Sequence, residues 1–147
     1  MCGILGYIGE NKRIDQNLFK EALDLLEHRG PDDSGIFSEK NLLFGHRRLS
    51  IIDLSSAGKQ PMIDSSSGKV ITFNGEIYNY IELRNKLESK GHTFRTKTDT
   101  EVLLKSYIEW NYDCVKYFNG MWSFCIWDPS ERKIFFSRDR FGVKPFY

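Results

Sequence analysis

Cysteine stands at position 2, directly after the initiator methionine and before Gly3. Its small side chain suits removal of Met1, which would leave a thiol and a free α-amine on a single residue. An α-amino group ionises at about 7.7–8.0, so a good fraction is unprotonated near neutrality and can take the proton of the thiol. Nucleophile and base then share one frame, and no separate histidine is needed. Gly3 would let the backbone approach a substrate closely. The competing reading is structural: a free cysteine often packs as a small hydrophobe, here at the start of the first strand.

Other residues with chemical potential form no comparable group. Cys2, Cys114 and Cys125 are odd in number and far apart, giving neither a disulfide framework nor paired metal-ligand spacing. Cys114 and Cys125 read as core residues. Asp32 and Asp33 invite a cation, but no clustered His, Cys or further carboxylate supports them, so no metal site is expected. His28, His46 and His92 read as structural or surface residues.

Composition narrows the field. Lys and Arg number 21 against 20 Asp and Glu, a net charge of +1. No long basic run occurs, which argues against nucleic acid or an anionic membrane as partner. Neither a signal-peptide pattern nor a span of bilayer length is visible. A cytoplasmic protein with free thiols is expected. The 40% apolar and 28% charged balance, with 14% aromatics, is that of a globular domain.

Elements that would position Cys2 follow from periodicity. Ile4 to Ile8 reads as a strand. Asn17 to Glu27 reads as a helix with Leu18, Phe19, Ala22, Leu23, Leu25 and Leu26 on its apolar face, Asp15 as cap and Gly30 as stop. His28 to Gly35 is dense in turn formers and reads as a loop. Ile36 to Phe37, Leu42 to Phe44 and Leu49 to Ile52 read as strands punctuated by Asn41 and Gly45. The polar segment Ser55 to Gly68 reads as a loop, and Val70 to Phe73 as a strand running into Asn74-Gly75. Helical spacing returns at Tyr80, Leu83 and Leu87, ending at Gly91. A third helix runs from Thr98, where Thr98-x-x-Glu101 has capping-box form, to about Trp110. Met121 to Trp127 and Lys133 to Ser137 read as strands joined by a turn at Asp128-Pro129-Ser130. Strands at both ends with helices between predict an α+β domain of mainly antiparallel strands.

Met1-Cys2-Gly3-Ile4-Leu5-Gly6 resembles the start of class II glutamine amidotransferases, which are N-terminal nucleophile hydrolases. Further segments narrow the resemblance to the glutaminase domain of glutamine-hydrolysing asparagine synthetases. They are His28 to Gly35, Gly45-His46-Arg47-Arg48-Leu49-Ser50-Ile51-Ile52-Asp53, Phe73-Asn74-Gly75-Glu76-Ile77-Tyr78-Asn79, Thr98-Asp99-Thr100-Glu101 and Arg138 to Tyr147. The resemblance spans the whole chain in the same order. It implies a sandwich of two mainly antiparallel sheets with helices on the outer faces (αββα), left incomplete at the C-terminus.

By that resemblance Cys2 attacks the side-chain amide of L-glutamine, giving a thioester and ammonia, and water releases glutamate. The oxyanion hole would fall on the Asn74 side-chain amide and the Gly75 N–H. Asn-Gly after a strand is also a common hairpin turn, an alternative the residues leave open. Arg48 would clamp the α-carboxylate of glutamine with two parallel hydrogen bonds, and Leu49, Ser50, Ile51 and Ile52 would line the pocket. Arg47, its neighbour on a strand, should face the other way and be a solvated surface charge. Asp99 and Glu76 would meet the α-ammonium. Asp99 also suits a helix first turn regardless of function, and Glu76 could simply be exposed.

The resemblance further implies a glutaminase domain over residues 1–147, truncated, with its synthetase domain absent. No cofactor is expected here; ATP and Mg would belong to that synthetase. Expected partners are L-glutamine and a synthetase domain or subunit that accepts ammonia, with a homodimer as an open expectation. Two rival readings remain: an ammonia donor for another acceptor, such as a sugar or surface polysaccharide, and a non-catalytic glutamine-binding module.

Overall fold

Two antiparallel sheets stack face to face in the computed structural model, which describes residues 1–9 and 15–147. The first sheet holds β1 (Gly3–Ile8), β2 (Asp33–Glu39) and β3 (Leu42–Arg48) in the order β1-β3-β2. The second holds β4 (Met62–Ile63), β5 (Val70–Ile77), β6 (Gly120–Asp128) and β7 (Lys133–Arg138) in chain order. Helix α1 (Gln16–Asp24) packs on β1 and β3, while α2 (Tyr80–Glu88) and α3 (Asp99–Trp110) cover the second sheet. The layering is αββα, as the resemblance implies.

Each helix forms where its signals predict, with instructive differences at the ends. The Asp15 carboxylate accepts the Asn17 N–H and caps α1. The helix stops at Asp24, and a short 3₁₀ turn follows over Glu27–Arg29. Phe19 and Leu23 are its buried pair, four residues apart, whereas Leu18 and Leu25 face solvent. The Thr98 hydroxyl accepts the Glu101 N–H at the start of α3. Glu101 does not return the bond to Thr98; its carboxylate accepts the N–H groups of Arg95 and Thr96.

Four expectations about strands are corrected, the first being that Ser55 to Gly68 is all loop, since it holds β4. β2 begins at Asp33, so the last residues of the expected loop are strand. β3 runs through Gly45, where a Cβ would press on Leu23 and Phe19 of α1, so that glycine is a docking point and not a break. Residues 49–52 are not a strand: β3 ends at Arg48, the Asp32 N–H donates to the Arg48 carbonyl, and the Asp32 carboxylate accepts the Ser50 N–H. Asp32 thus turns the chain out of the sheet.

Most apolar burial lies between the second sheet and its helices, where Ile71, Phe73, Leu103, Tyr107, Trp122 and Phe124 pack together. Burying each such side chain contributes roughly 1.5–3 kcal/mol, so this layer anchors the fold. The layer between the sheets is thinner. One end of it is apolar, with Phe44, Val70 and Cys125. The other end is polar, with His46, Arg48 and Asn74, and there the candidate site lies. Cys114 is buried in the helix-covered core.

Candidate functional site

Gly3 pairs with Arg47 at the start of β1, which brings Cys2 beside Arg48 at the end of β3. A Cβ on Gly3 would sit 2.8 Å from that of Leu26, so the small residue lets the segment after α1 close over the strand. That segment delivers Arg29, whose Nε donates to the Cys2 carbonyl at 3.2 Å. The Cys2 thiol meets the Leu49 backbone: Sγ accepts from the N–H at 3.4 Å and lies 3.7 Å from the carbonyl. Burial pushes the Cys2 thiol up, against the Leu49 N–H, the chain-terminal charge and Arg48, which draw it down. The resting group is a neutral thiol that needs a base.

A cavity of about 130 Å³ opens in front of Cys2. Arg48, Leu49, Ile51, Ile52, Asn74, Gly75, Glu76 and Asp99 all line it with Cys2, which brings together residues far apart in sequence. Ser50 does not line it; its N–H is turned to Asp32. The Asn74-Gly75 pair lies inside β5, opposite Ser123 and Trp122 of β6, so the hairpin alternative is excluded.

Arg48 and Arg47 do point to opposite sides of β3, but both are buried. Arg47 is 8% exposed and bonds to Asp24 (3.3 Å) and Glu27 (3.0 Å) beneath α1, so it is not the solvated charge expected of it. Both faces of β3 are covered, and a strand in that position has no solvent side. The guanidinium of Arg48, 7% exposed, donates to the backbone carbonyls of Ser55 (2.8 Å) and Asp53. It makes no ion pair among the described residues.

Asp99 opens α3, held by the Thr98 cap, and its Oδ2 accepts the Ile77 N–H at 3.0 Å. The helix-dipole reading and the ligand reading therefore share one geometry. Burial pushes the Asp99 carboxyl up to about 6, although the N–H groups of Ile77 and Thr100 oppose the shift; the nearby Glu76 charge adds to it. Asp99 too lacks a cationic partner among the described residues. The cavity thus presents a buried guanidinium and a buried carboxylate, each without its counter-charge. Such an arrangement suits a ligand carrying both charges, an amino acid.

Several lining residues carry no role in the sequence analysis, the deeply buried Lys144 and Gln60 among them. Lys144 is 3% exposed, and its Nζ lies 2.8 Å from Met1 Sδ. Asp139 places it there: its carboxylate gathers the N–H groups of Trp122, Phe141, Val143 and Lys144 at 2.9–3.2 Å, folding the closing segment back onto the site. A lysine in the otherwise apolar run Gly142 to Tyr147 is the signal that could have marked it. The second residue is Gln60, buried at 6% exposure. Among the described residues no group of three or more His, Cys, Asp or Glu could hold a metal ion, and no helix is long and apolar enough to cross a membrane.

Residues 1–147 match the family described as glutamine amidotransferase domain. The chain is 44% identical over 151 residues to asparagine synthetase [glutamine-hydrolyzing] 3 of Bacillus subtilis, covering 100% of this chain and 24% of that protein. It is 45% identical over 165 residues to putative asparagine synthetase [glutamine-hydrolyzing] 2 of Methanocaldococcus jannaschii, covering 100% of this chain and 32% of that one. The chain thus spans about a quarter to a third of the length of these relatives. Among solved structures, glutamine phosphoribosylpyrophosphate amidotransferase from B. subtilis superposes with a TM-score of 0.80 at 20% identity, over 99% of this chain and 38% of that one. That likeness is one of fold.

Proposed function

The chain belongs to the family of glutamine amidotransferase domains, and from that premise we propose that its cavity hydrolyses L-glutamine through a Cys2 thioester once Met1 is removed. The observation that carries the reading is the pairing of unmatched charges beside the thiol: Arg48 for the α-carboxylate, Asp99 for the α-ammonium. With its charged ends held there, glutamine extends its side-chain amide toward Cys2. Glu76, at the rim of the same cavity, adds negative charge near the ammonium.

Removal of Met1 does two things. It frees the Cys2 amine, which in the presence of Met1 is a peptide nitrogen and cannot serve as a base. It also vacates space, since Met1 itself lines the cavity. The free amine takes the thiol proton, and the sulfur adds to the amide carbon. The oxyanion so formed is held by the Asn74 side-chain N–H and the Gly75 backbone N–H; one such donor is worth roughly 3 kcal/mol. The amine returns its proton to the leaving nitrogen, the C–N bond breaks, and ammonia departs. Water, deprotonated by the same amine, then adds to the thioester, the C–S bond breaks, and glutamate and the thiol are restored.

The ammonia would pass to an ATP- and Mg-dependent acceptor of the asparagine-synthetase type, a reading supported by the names of the relatives that match the chain throughout. Measurement of ammonia released from glutamine by Met1-free protein, with Cys2→Ala as control, tests the assignment. Turnover should vanish in Cys2→Ala; ammonia release that survives it defeats the nucleophile. A protein shown by intact mass to retain Met1, yet turning over at the full rate, would defeat the amine as base.

A further inference from the structure

Asn74 needs a strand that does not shift, and β5 is supported unevenly around it. On one edge β6 pairs with β5 along its whole length. On the other, β4 pairs only Met62 with Ile71 and Ile63 with Val70. That antiparallel register brings Gln60 opposite Phe73, the residue before Asn74. Pro61, which lacks an N–H, stands between, so the backbone ladder stops there.

The Gln60 side chain takes over. Its Oε1 accepts the Phe73 N–H at 2.7 Å, and its Nε2 donates to the Phe73 carbonyl at 3.3 Å, as a neighbouring strand would. The same Nε2 donates to the Thr100 hydroxyl at 3.3 Å, one residue after Asp99. Across the sandwich His46 Nε2 lies 3.1 Å from the same carbonyl, which fixes that nitrogen as the protonated one because a carbonyl only accepts. Every hydrogen-bonding position of the Phe73 peptide groups on this side is thereby filled. The site is built for this: a Cβ on Gly35 of β2 would lie 2.1 Å from the Gln60 carbonyl, so β2 leaves a gap into which the Gln60 backbone fits.

We propose that Gln60 is a positioning residue of the glutaminase reaction, clamping β5 so that the Asn74 amide meets the oxyanion. It touches no reacting atom; it acts through Phe73 on Asn74, and through Thr100 it ties that strand to the helix turn bearing Asp99. The proposal rests on the glutaminase reading above. A displacement of about 1 Å at such a site can cost about 10²-fold in rate.

Gln60→Met removes all three bonds; Gln60→Glu keeps the acceptor for the Phe73 N–H and loses both donors. In Met1-free protein both should lower kcat about 10–100-fold with KM changed less than about threefold. In an Asn74→Ala background Gln60→Met should cost less than about twofold, because the group it positions is gone. Amide exchange at Phe73 should quicken in Gln60→Met but not in Gln60→Glu, a readout independent of turnover. Full multiplication of the two losses, a change confined to KM, or unaltered exchange in Gln60→Met would each overturn the role. An active parent with an unchanged kcat in Gln60→Met defeats the positioning role alone, whereas a silent Met1-free parent defeats it together with the glutaminase reading.

Discussion

Asp99 at the cavity and Asp128 at the far end of β6 are almost equally hidden, at 6% and 3% exposure, yet their carboxyls move in opposite directions. Burial pushes both up. At Asp128 that push is outweighed by Lys69, whose Nζ is 2.6 Å away, and by Ser130 and the Glu131 N–H, which leave the group at about 2. Asp64 behaves alike: burial raises it, but Lys105, Ser66 and Ser67 hold it well below the usual carboxylate range. Asp99 meets backbone N–H groups and no cation, and it stays at about 6. One end of the second sheet therefore closes its charges internally. At the other end, the cavity between the sheets keeps Arg48, Asp99 and Lys144 buried, none of them in an ion pair among the described residues. An unpaired buried charge destabilises a fold, so its presence here fits a ligand that supplies both partners at once.

The largest expected effect comes from removing a charge at the open end. Asp99→Asn should lower kcat/KM for glutamine by about 10²-fold or more, since truncating one partner of a buried charge pair costs about 2–5 kcal/mol. The same change should raise the melting temperature of the ligand-free chain, because a carboxyl held two units above its ordinary value makes the ionised form a burden on the order of 3 kcal/mol near neutrality. Kinetics and thermal melts on one preparation check both signs. Activity and stability falling together would mean that Asp99 is structural.

The complementary change is at the closed end. Lys69→Met should destabilise the chain by roughly 2–3 kcal/mol, at the low end for a broken buried pair because Ser130 and Glu131 still bind the Asp128 carboxylate. Denaturant titration measures this, and glutamine KM should stay within about twofold. If KM rises as much as in Asp99→Asn, the two ends are coupled and the contrast between them fails.

Much of this contrast was legible in the chain, but unevenly. Periodicity and caps located α1, α2 and α3, and at α1 and α3 the caps Asp15 and Thr98 act locally through the N–H groups just ahead of them. Strands were found where β-branched and aromatic residues cluster, and misjudged where contacts distant in sequence decide the outcome. Leu49 to Ile52 is apolar enough for a strand, yet the Asp32 carboxylate, eighteen residues away, turns Ser50 out of the sheet. Asn74-Gly75 has the composition of a turn and is held inside β5 by pairing with β6. Arg47 is charged and nonetheless buried, because α1 covers the side of β3 that alternation assigns to it. The motifs that mark the cavity are short and carried by the family resemblance; Lys144 is signalled only as a lysine in an apolar run, while Gln60 bonds to Phe73 and Thr100, neighbours distant in sequence, which no local pattern displays.

The finest probe of the comparison is pH. A folded-state value near 6 against an ordinary 3.8 means that the ligand-free native chain binds a proton more tightly than the unfolded one at Asp99. This group's contribution to stability is therefore greatest at low pH and is lost as pH rises from about 4 to about 6. Glutamine bound as proposed would reverse the preference, since its ammonium needs the carboxylate ionised, and its binding below pH 6 would release a proton. Measured calorimetrically on Cys2→Ala protein, which cannot turn over, the Kd for glutamine should rise about tenfold between pH 7 and pH 5, or about 1.4 kcal/mol. The paired end predicts no such change in that range, because Asp128 and Asp64 stay ionised throughout it. In Asp99→Asn the weakened binding should lose its dependence between pH 5 and 7. A slope that persists in that variant would assign the titration to another group, and the charge left open at Asp99 would then not be the one that glutamine closes.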